Sequence, residues 1–170
     1  MDNIEKILKY YINLSFKTSK DNVNEQVELE CRQTVSYLRY VNLKKRITAI
    51  AGMYNKKLEY QNYTLYRFKN VPVRGEIRTD DTFHLINKQS LSRTRIQYNP
   101  VINLVLSLEK KILPNTAEFK EYKEDIINQR LQKLDVVKRE RIVARFDKYC
   151  TAFLDINTID GNQTYHFEVE

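Results

Sequence analysis

A chain of 170 residues with 42% hydrophobic and 30% charged residues has the balance of one globular domain with one core; it is too rich in large apolar side chains to be disordered and leaves little room for a second domain. No apolar stretch approaches the roughly 20 residues needed to span a bilayer, and Lys6, Lys9 and Lys17 break the start of the chain where a signal peptide would sit. A membrane or secreted protein is therefore not expected, and the formal net charge of +7 favours an anionic partner over a cationic one.

In chain order, Asn3 to about Ser19 carries Ile4, Ile7, Leu8, Tyr11, Ile12 and Leu14 at helical spacing, with Asp2 or Asn3 as cap and Thr18 to Asn22 as a following loop. A second helix is predicted from about Asn24 to Tyr54. Val27, Cys31, Val35, Leu38 and Val41 share one face, the stripe shifts to Leu43, Ile47, Ile50 and Tyr54, and Gly52 marks the stop. Leu58 to Lys69 alternates and is rich in Tyr, Phe and Thr, which predicts a strand; Thr82 to Asn87 predicts another, with residues 70 to 80 between them as a turn or extended arm. Ser90 to Asn99 reads equally as strand or loop. Asn99-Pro100 opens a predicted helix over 100–113, and Asn115 with Glu118 resembles a capping box that opens a helical region over 116–154, broken near Asp135. Gln163 to Glu170 alternates like a closing strand over 163–169. The expected fold class is α+β, predominantly helical, with a small antiparallel sheet from the middle segment and the C-terminal strand, in a single domain over 1–170.

Cys31 and Cys150 form no C-x-x-C pair and read as small buried hydrophobes in a reducing compartment. The excess of Lys, Asn, Ile and Tyr over Gly and Pro is the signature of an AT-rich genome, as in many bacteria, phages and large DNA viruses, and part of the lysine excess follows from it.

The strongest chemical pattern is basic. Between Cys31 and Leu58 stand Arg32, Arg39, Lys44, Lys45, Arg46, Lys56 and Lys57 with no acidic residue, interleaved with Tyr40 and Tyr54 and followed by Tyr63 and Arg67. Cations neutralise phosphates and aromatic rings stack on unpaired bases, so this run is a candidate nucleic-acid surface; a basic protein-binding face and a merely solvated helix remain open. Arg93 and Arg95, set among Ser90, Ser92 and Thr94, have the composition of a phosphate contact. His84 and His166 lack the hydroxyl two positions on that a two-histidine phosphoesterase uses, because Ile86 and Glu168 stand there. Two Cys and two His scattered along the chain make no zinc site, and Glu118, Glu121, Glu124 and Asp125 read as a solvated helix face. Three glycines allow no phosphate-cradling loop.

The reading is a non-enzymatic structural or adaptor subunit of a larger assembly, most concretely a phage or viral virion component of neck, connector or tail-ring type. It is expected in the host cytoplasm or the virion, as a homo-oligomer among other protein subunits, with no cofactor, metal, membrane or small-molecule substrate. The alternative is a basic nucleic-acid-binding or regulatory protein using the Arg32 to Lys69 surface.

Overall fold

The computed structural model describes residues 3–21, 24–97, 101–128, 130, 134–147 and 150–170. Eight strands, β1 (Glu25–Val35), β2 (Leu58–Phe68), β3 (Val73–Ile77), β4 (Phe83–Ile96), β5 (Ile102–Ile112), β6 (Leu134–Arg145), β7 (Thr151–Ile159) and β8 (Asn162–Val169), are joined by three helices, α1 (Asn3–Asp21), α2 (Tyr37–Met53) and α3 (Ala117–Ile127). The strands close into an antiparallel barrel in the order β1-β5-β4-β3-β2-β6-β7-β8. β1 and β8 complete the circle, with Cys31 opposite Val169 and Val35 opposite Tyr165. The expectation of a predominantly helical α+β domain is thus overturned, and an extended arm at residues 70–80 is replaced by β3 with its flanking turns.

Three predicted helices contain strands. Residues 24–54 divide at Ser36. The Glu25–Val35 half alternates Gln26, Glu28, Glu30 and Arg32 against Val27, Leu29, Cys31 and Gln33, and only the second half winds into α2. Ser36 caps α2 by accepting from the Arg39 backbone N–H at 3.3 Å, and the left-handed turn beyond it falls on Asn55 (φ 53°), not on Gly52. The predicted helix over 100–113 is β5, and its proposed cap at Asn99-Pro100 lies outside the described residues. The 116–154 region holds α3 and then β6 and the start of β7; Thr116, not Asn115, caps α3 by accepting from the Phe119 N–H at 3.2 Å.

The apolar core lies outside the barrel, between wall and helices. Outward-facing Val35, Ile142, Ala144, Ala152 and Leu154 pack beneath Tyr40 and Ile47 of α2. On the other flank Phe68, Val73, Leu85, Ile112 and Leu134 pack beneath Phe119 and Ile126 of α3. Burial there removes apolar area from water at about 25 cal/mol per Å2, and it leaves the inner faces of the strands free for polar residues. Among the described residues, no helix is long and apolar enough to cross a membrane.

Candidate active site

Residues opposite one another in the ladders point to the same side, so the register alone assembles the interior. From β1 come Glu28, Glu30 and Arg32; from β3, Arg74 and Glu76, with Arg78 just beyond its end; from β4, Lys88 opposite Glu109 of β5; from β6, Arg139 and Arg141; from β7, Asp155 and Asn157; from β8, His166 and Glu168. All of these side chains except the fully buried Glu30 line a tunnel of about 870 Å3.

The charges are ordered by sign. On the β1–β8 side, Glu28, Glu30 and Glu170 each present a carboxylate oxygen within 4.8 Å of the others. Lys88 lies under this group, its Nζ donating to Glu28 and Glu109 at 2.7 Å each and to Glu30. Burial and the neighbouring carboxylates Glu109 and Glu30 push Glu28 up to about 7. Burial, a hydrogen bond with Glu168 and the charges of Glu28 and Glu30 push Glu170 up to about 9. Burial opposes ionisation of Glu30 as well, but Lys88 and Arg32 more than offset it and hold that carboxyl low. Crowded carboxylates that retain protons near neutrality form a hard, oxygen-rich donor set, which suits a divalent cation such as Mg2+ or Mn2+. The residues therefore fit a cation held by Glu28, Glu30 and Glu170.

Facing this group is a cationic wall. Arg141 grips Asp155 through two bonds of 2.7 Å, with its guanidinium 4.3 Å from the Phe153 ring centroid. Arg139 donates to Asn157 at 2.7 Å and reaches Asp155 only at 3.5 Å. Burial, with Arg141, Arg74 and Arg67 nearby, brings Arg139 down to about 10. Arg67 is lowered by burial and by Arg74 and Arg32. A cation disfavoured by its own neighbours is a site awaiting an anion. Arg32 spans the two zones, 2.5 Å from Glu30 and 2.8 Å from Glu168. His166 lies in the same wall, 3.0 Å from Thr164 Oγ1, and burial depresses its pKa.

The basic run read from the sequence does not form one surface. Arg32, Arg67 and Tyr63 line the tunnel. Arg39, Lys44, Lys45 and Arg46 are exposed on α2, Lys56, Lys57 and Tyr54 are exposed at the turn after it, and Tyr40 is buried with its ring 5.3 Å from that of Tyr165. Arg93 and Arg95 are exposed near the end of β4. Sequence reasoning missed Glu28, Glu30, Arg74, Glu76, Lys88, Glu109, Arg139, Arg141, Asp155, Glu168 and Glu170. The available signal was charge at every second position (Glu28, Glu30, Arg32; Arg74, Glu76, Arg78; His166, Glu168, Glu170), the mark of strands whose inner face is ionic.

No family model matches the sequence, and no curated protein matches it. Solved structures do. The Mimivirus capping-enzyme triphosphatase superposes with a TM-score of 0.65 at 12% identity, over 99% of this chain and 88% of that one. The S. pombe RNA triphosphatase gives 0.64 at 8% identity, over 99% of this chain and 78% of that one. A putative adenylate cyclase from Bacillus halodurans gives 0.52 at 12% identity, over 87% and 82%. At such identities the likeness establishes the fold, one shared with proteins named as triphosphatases. It overturns the expectation of a non-enzymatic neck, connector or tail-ring subunit, and with it the exclusion of an enzyme.

Proposed function

We propose that the protein is a divalent-cation-dependent triphosphatase that transfers the terminal phosphoryl group of a triphosphate-bearing substrate drawn into the tunnel to water, releasing orthophosphate as the β–γ phosphoanhydride bond breaks and the diphosphate end leaves. The observation that carries this reading is the facing arrangement of the Glu28, Glu30, Glu170 cluster and the Arg32, Arg67, Arg139 wall inside one closed cavity. A divalent cation held by Glu28, Glu30 and Glu170 would supply charge neutralisation and Lewis-acid polarisation of the phosphate. Arg139 and Arg67, short of carboxylate partners, take the oxygens of the transferring phosphate and stabilise the charge that spreads over them. Lys88 helps to hold Glu30 and Glu109 ionised, and the bidentate pair with Asp155 fixes Arg141 beside Arg139. The likeness to the two triphosphatases supports the reading.

The test is product analysis with purified protein, Mg2+ or Mn2+, and three substrates: ATP, inorganic tripolyphosphate and a 5′-triphosphate oligonucleotide. Orthophosphate release that stops when the cation is chelated is expected. Release of pyrophosphate with a cyclic nucleotide would mark a nucleotide cyclase instead, and no turnover of any of the three rejects the proposal.

A further inference from the structure

One strand carries a register change that the proposed reaction leaves unused. Up to Ser90, the even residues of β4 face the tunnel: Ile86 and Lys88 stand opposite Lys111 and Glu109. Between Ser90 and Ser92 the register shifts by a β-bulge, with Ser90 opposite Ser107 but Ser92 opposite Leu106. One extra residue, Leu91, inverts the alternation. Arg93 then lies opposite Val105 and Arg95 opposite Asn103, on the face that β5 turns inward. Without the bulge both arginines would point outward with Leu85.

Arg93 faces Val105 with Glu30 beyond it, and Arg95 faces Asn103 with Arg32 beyond it. Across β5, Val105 and Asn103 are the partners of Glu30 and Arg32, so Arg93 and Arg95 stand level with the boundary between the two charge zones, two strands away, where β4 runs out to the barrel rim. Both are exposed, and neither makes an ion pair among the described residues. No acidic residue occurs from Ser90 to Ile96 on β4 or from Ile102 to Leu108 on β5. Two same-face residues of a strand are about 6.8 Å apart along it, comparable with the step between successive phosphates of an extended nucleotide chain.

We infer that Arg93 and Arg95 form a second anion site at this mouth of the tunnel, which takes backbone phosphates of a single-stranded nucleotide chain whose triphosphate end lies inside. The inference rests on the triphosphatase reading and adds substrate selection to it: the mouth arginines favour a chain-bearing triphosphate over a free nucleotide.

The experiment compares wild type with the R93A/R95A double variant on a 5′-triphosphate ten-nucleotide RNA and on ATP. The KM for the RNA is expected to rise about tenfold, and the slope of log KM against log salt to fall by about 1.4 for two lost contacts on a single strand, while kcat/KM for ATP stays the same. R93K/R95K should recover most of the RNA affinity. An RNA KM unmoved by R93A/R95A, or equal losses on RNA and ATP, overturns the inference. Fluorescence anisotropy with the same labelled RNA reads the site without turnover: tenfold weaker binding by R93A/R95A supports it, and unchanged binding overturns it. Absence of phosphate release by wild type on both substrates rejects the triphosphatase reading alone, so the two failures are separable. Both arginines are exposed and make no ion pair among the described residues, so an unchanged melting temperature is the expected folding control.

Discussion

Arg139 is held where its own charge is disfavoured, beside other arginines and with its best carboxylate 3.5 Å away. Such a residue serves ligand binding at a cost in stability. The R139M variant is accordingly expected to melt at the wild-type temperature or above it, because Asp155 keeps both bonds to Arg141, while hydrolysis falls by about 100- to 1,000-fold. Differential scanning fluorimetry and a phosphate-release assay check the two halves; a large drop in melting temperature would give Arg139 a structural role instead. The carboxylates make a second prediction. Glu28 and Glu170 have folded-state pKa values of about 7 and about 9, above the ordinary 4.5. Their stabilising contribution is complete below pH 4.5 and is lost as pH rises through those values. A divalent cation takes the place of the protons, so Mn2+ should raise the melting temperature more at pH 8 than at pH 6. Equal gains at both pH values would remove the cation from these side chains.

At the scale of single elements, β3 shows how closely the outer core controls the inner site. Gly75 sits between Arg74 and Glu76, and a Cβ there would lie 2.6 Å from Ile126 Cδ1 of α3 and 3.3 Å from Phe83 Cε2. Replacing Gly75 with Val is expected to cost about 1–3 kcal/mol and to lower activity by displacing its two charged neighbours. Adding I126V should restore part of both, which denaturant melts and rates of the double variant would reveal. β3 was legible in the sequence only as a turn, since five residues are too few for a periodic signal. β1 and β6 were misread for another reason. Glu28 and Glu30 are poor strand formers, and Lys138-Arg139-Glu140-Arg141 has the composition of an exposed helix. In both, a charged alternate face implies a watery exterior only if the interior is assumed to be apolar. Here the interior is ionic, and the alternation was correct evidence attached to the wrong face. β2 and β8 were easier: Leu58–Phe68 has enough Tyr, Phe and Thr, and Gln163–Glu170 enough aromatic alternation, to declare strands whatever they face.

For the molecule as a whole, packing and chemistry occupy separate layers. The helices and the outer barrel wall supply the apolar contacts, the inner wall supplies the ions, and the ladder hydrogen bonds hold the two together. The candidate site was illegible as a motif because its members come from all eight strands, and only barrel closure makes neighbours of Glu28 and Glu170, as only the β2–β6 ladder does of Arg67 and Arg139. The three-dimensional likeness to triphosphatases at 12% identity or less has the same origin: a ladder constrains which faces meet, not which residues follow one another. The junction of β1 and β8 has a kinetic corollary. Cys31 must find Val169 from the far end of the chain, a contact whose loop-closure entropy places such topologies among the slow folders, in milliseconds to seconds. During synthesis β1 waits with an open edge until β8 emerges from the ribosome. Because Glu28 and Glu30 lie on one side of that same seam and Glu170 on the other, the three carboxylates come together only with the final zipping of the cylinder.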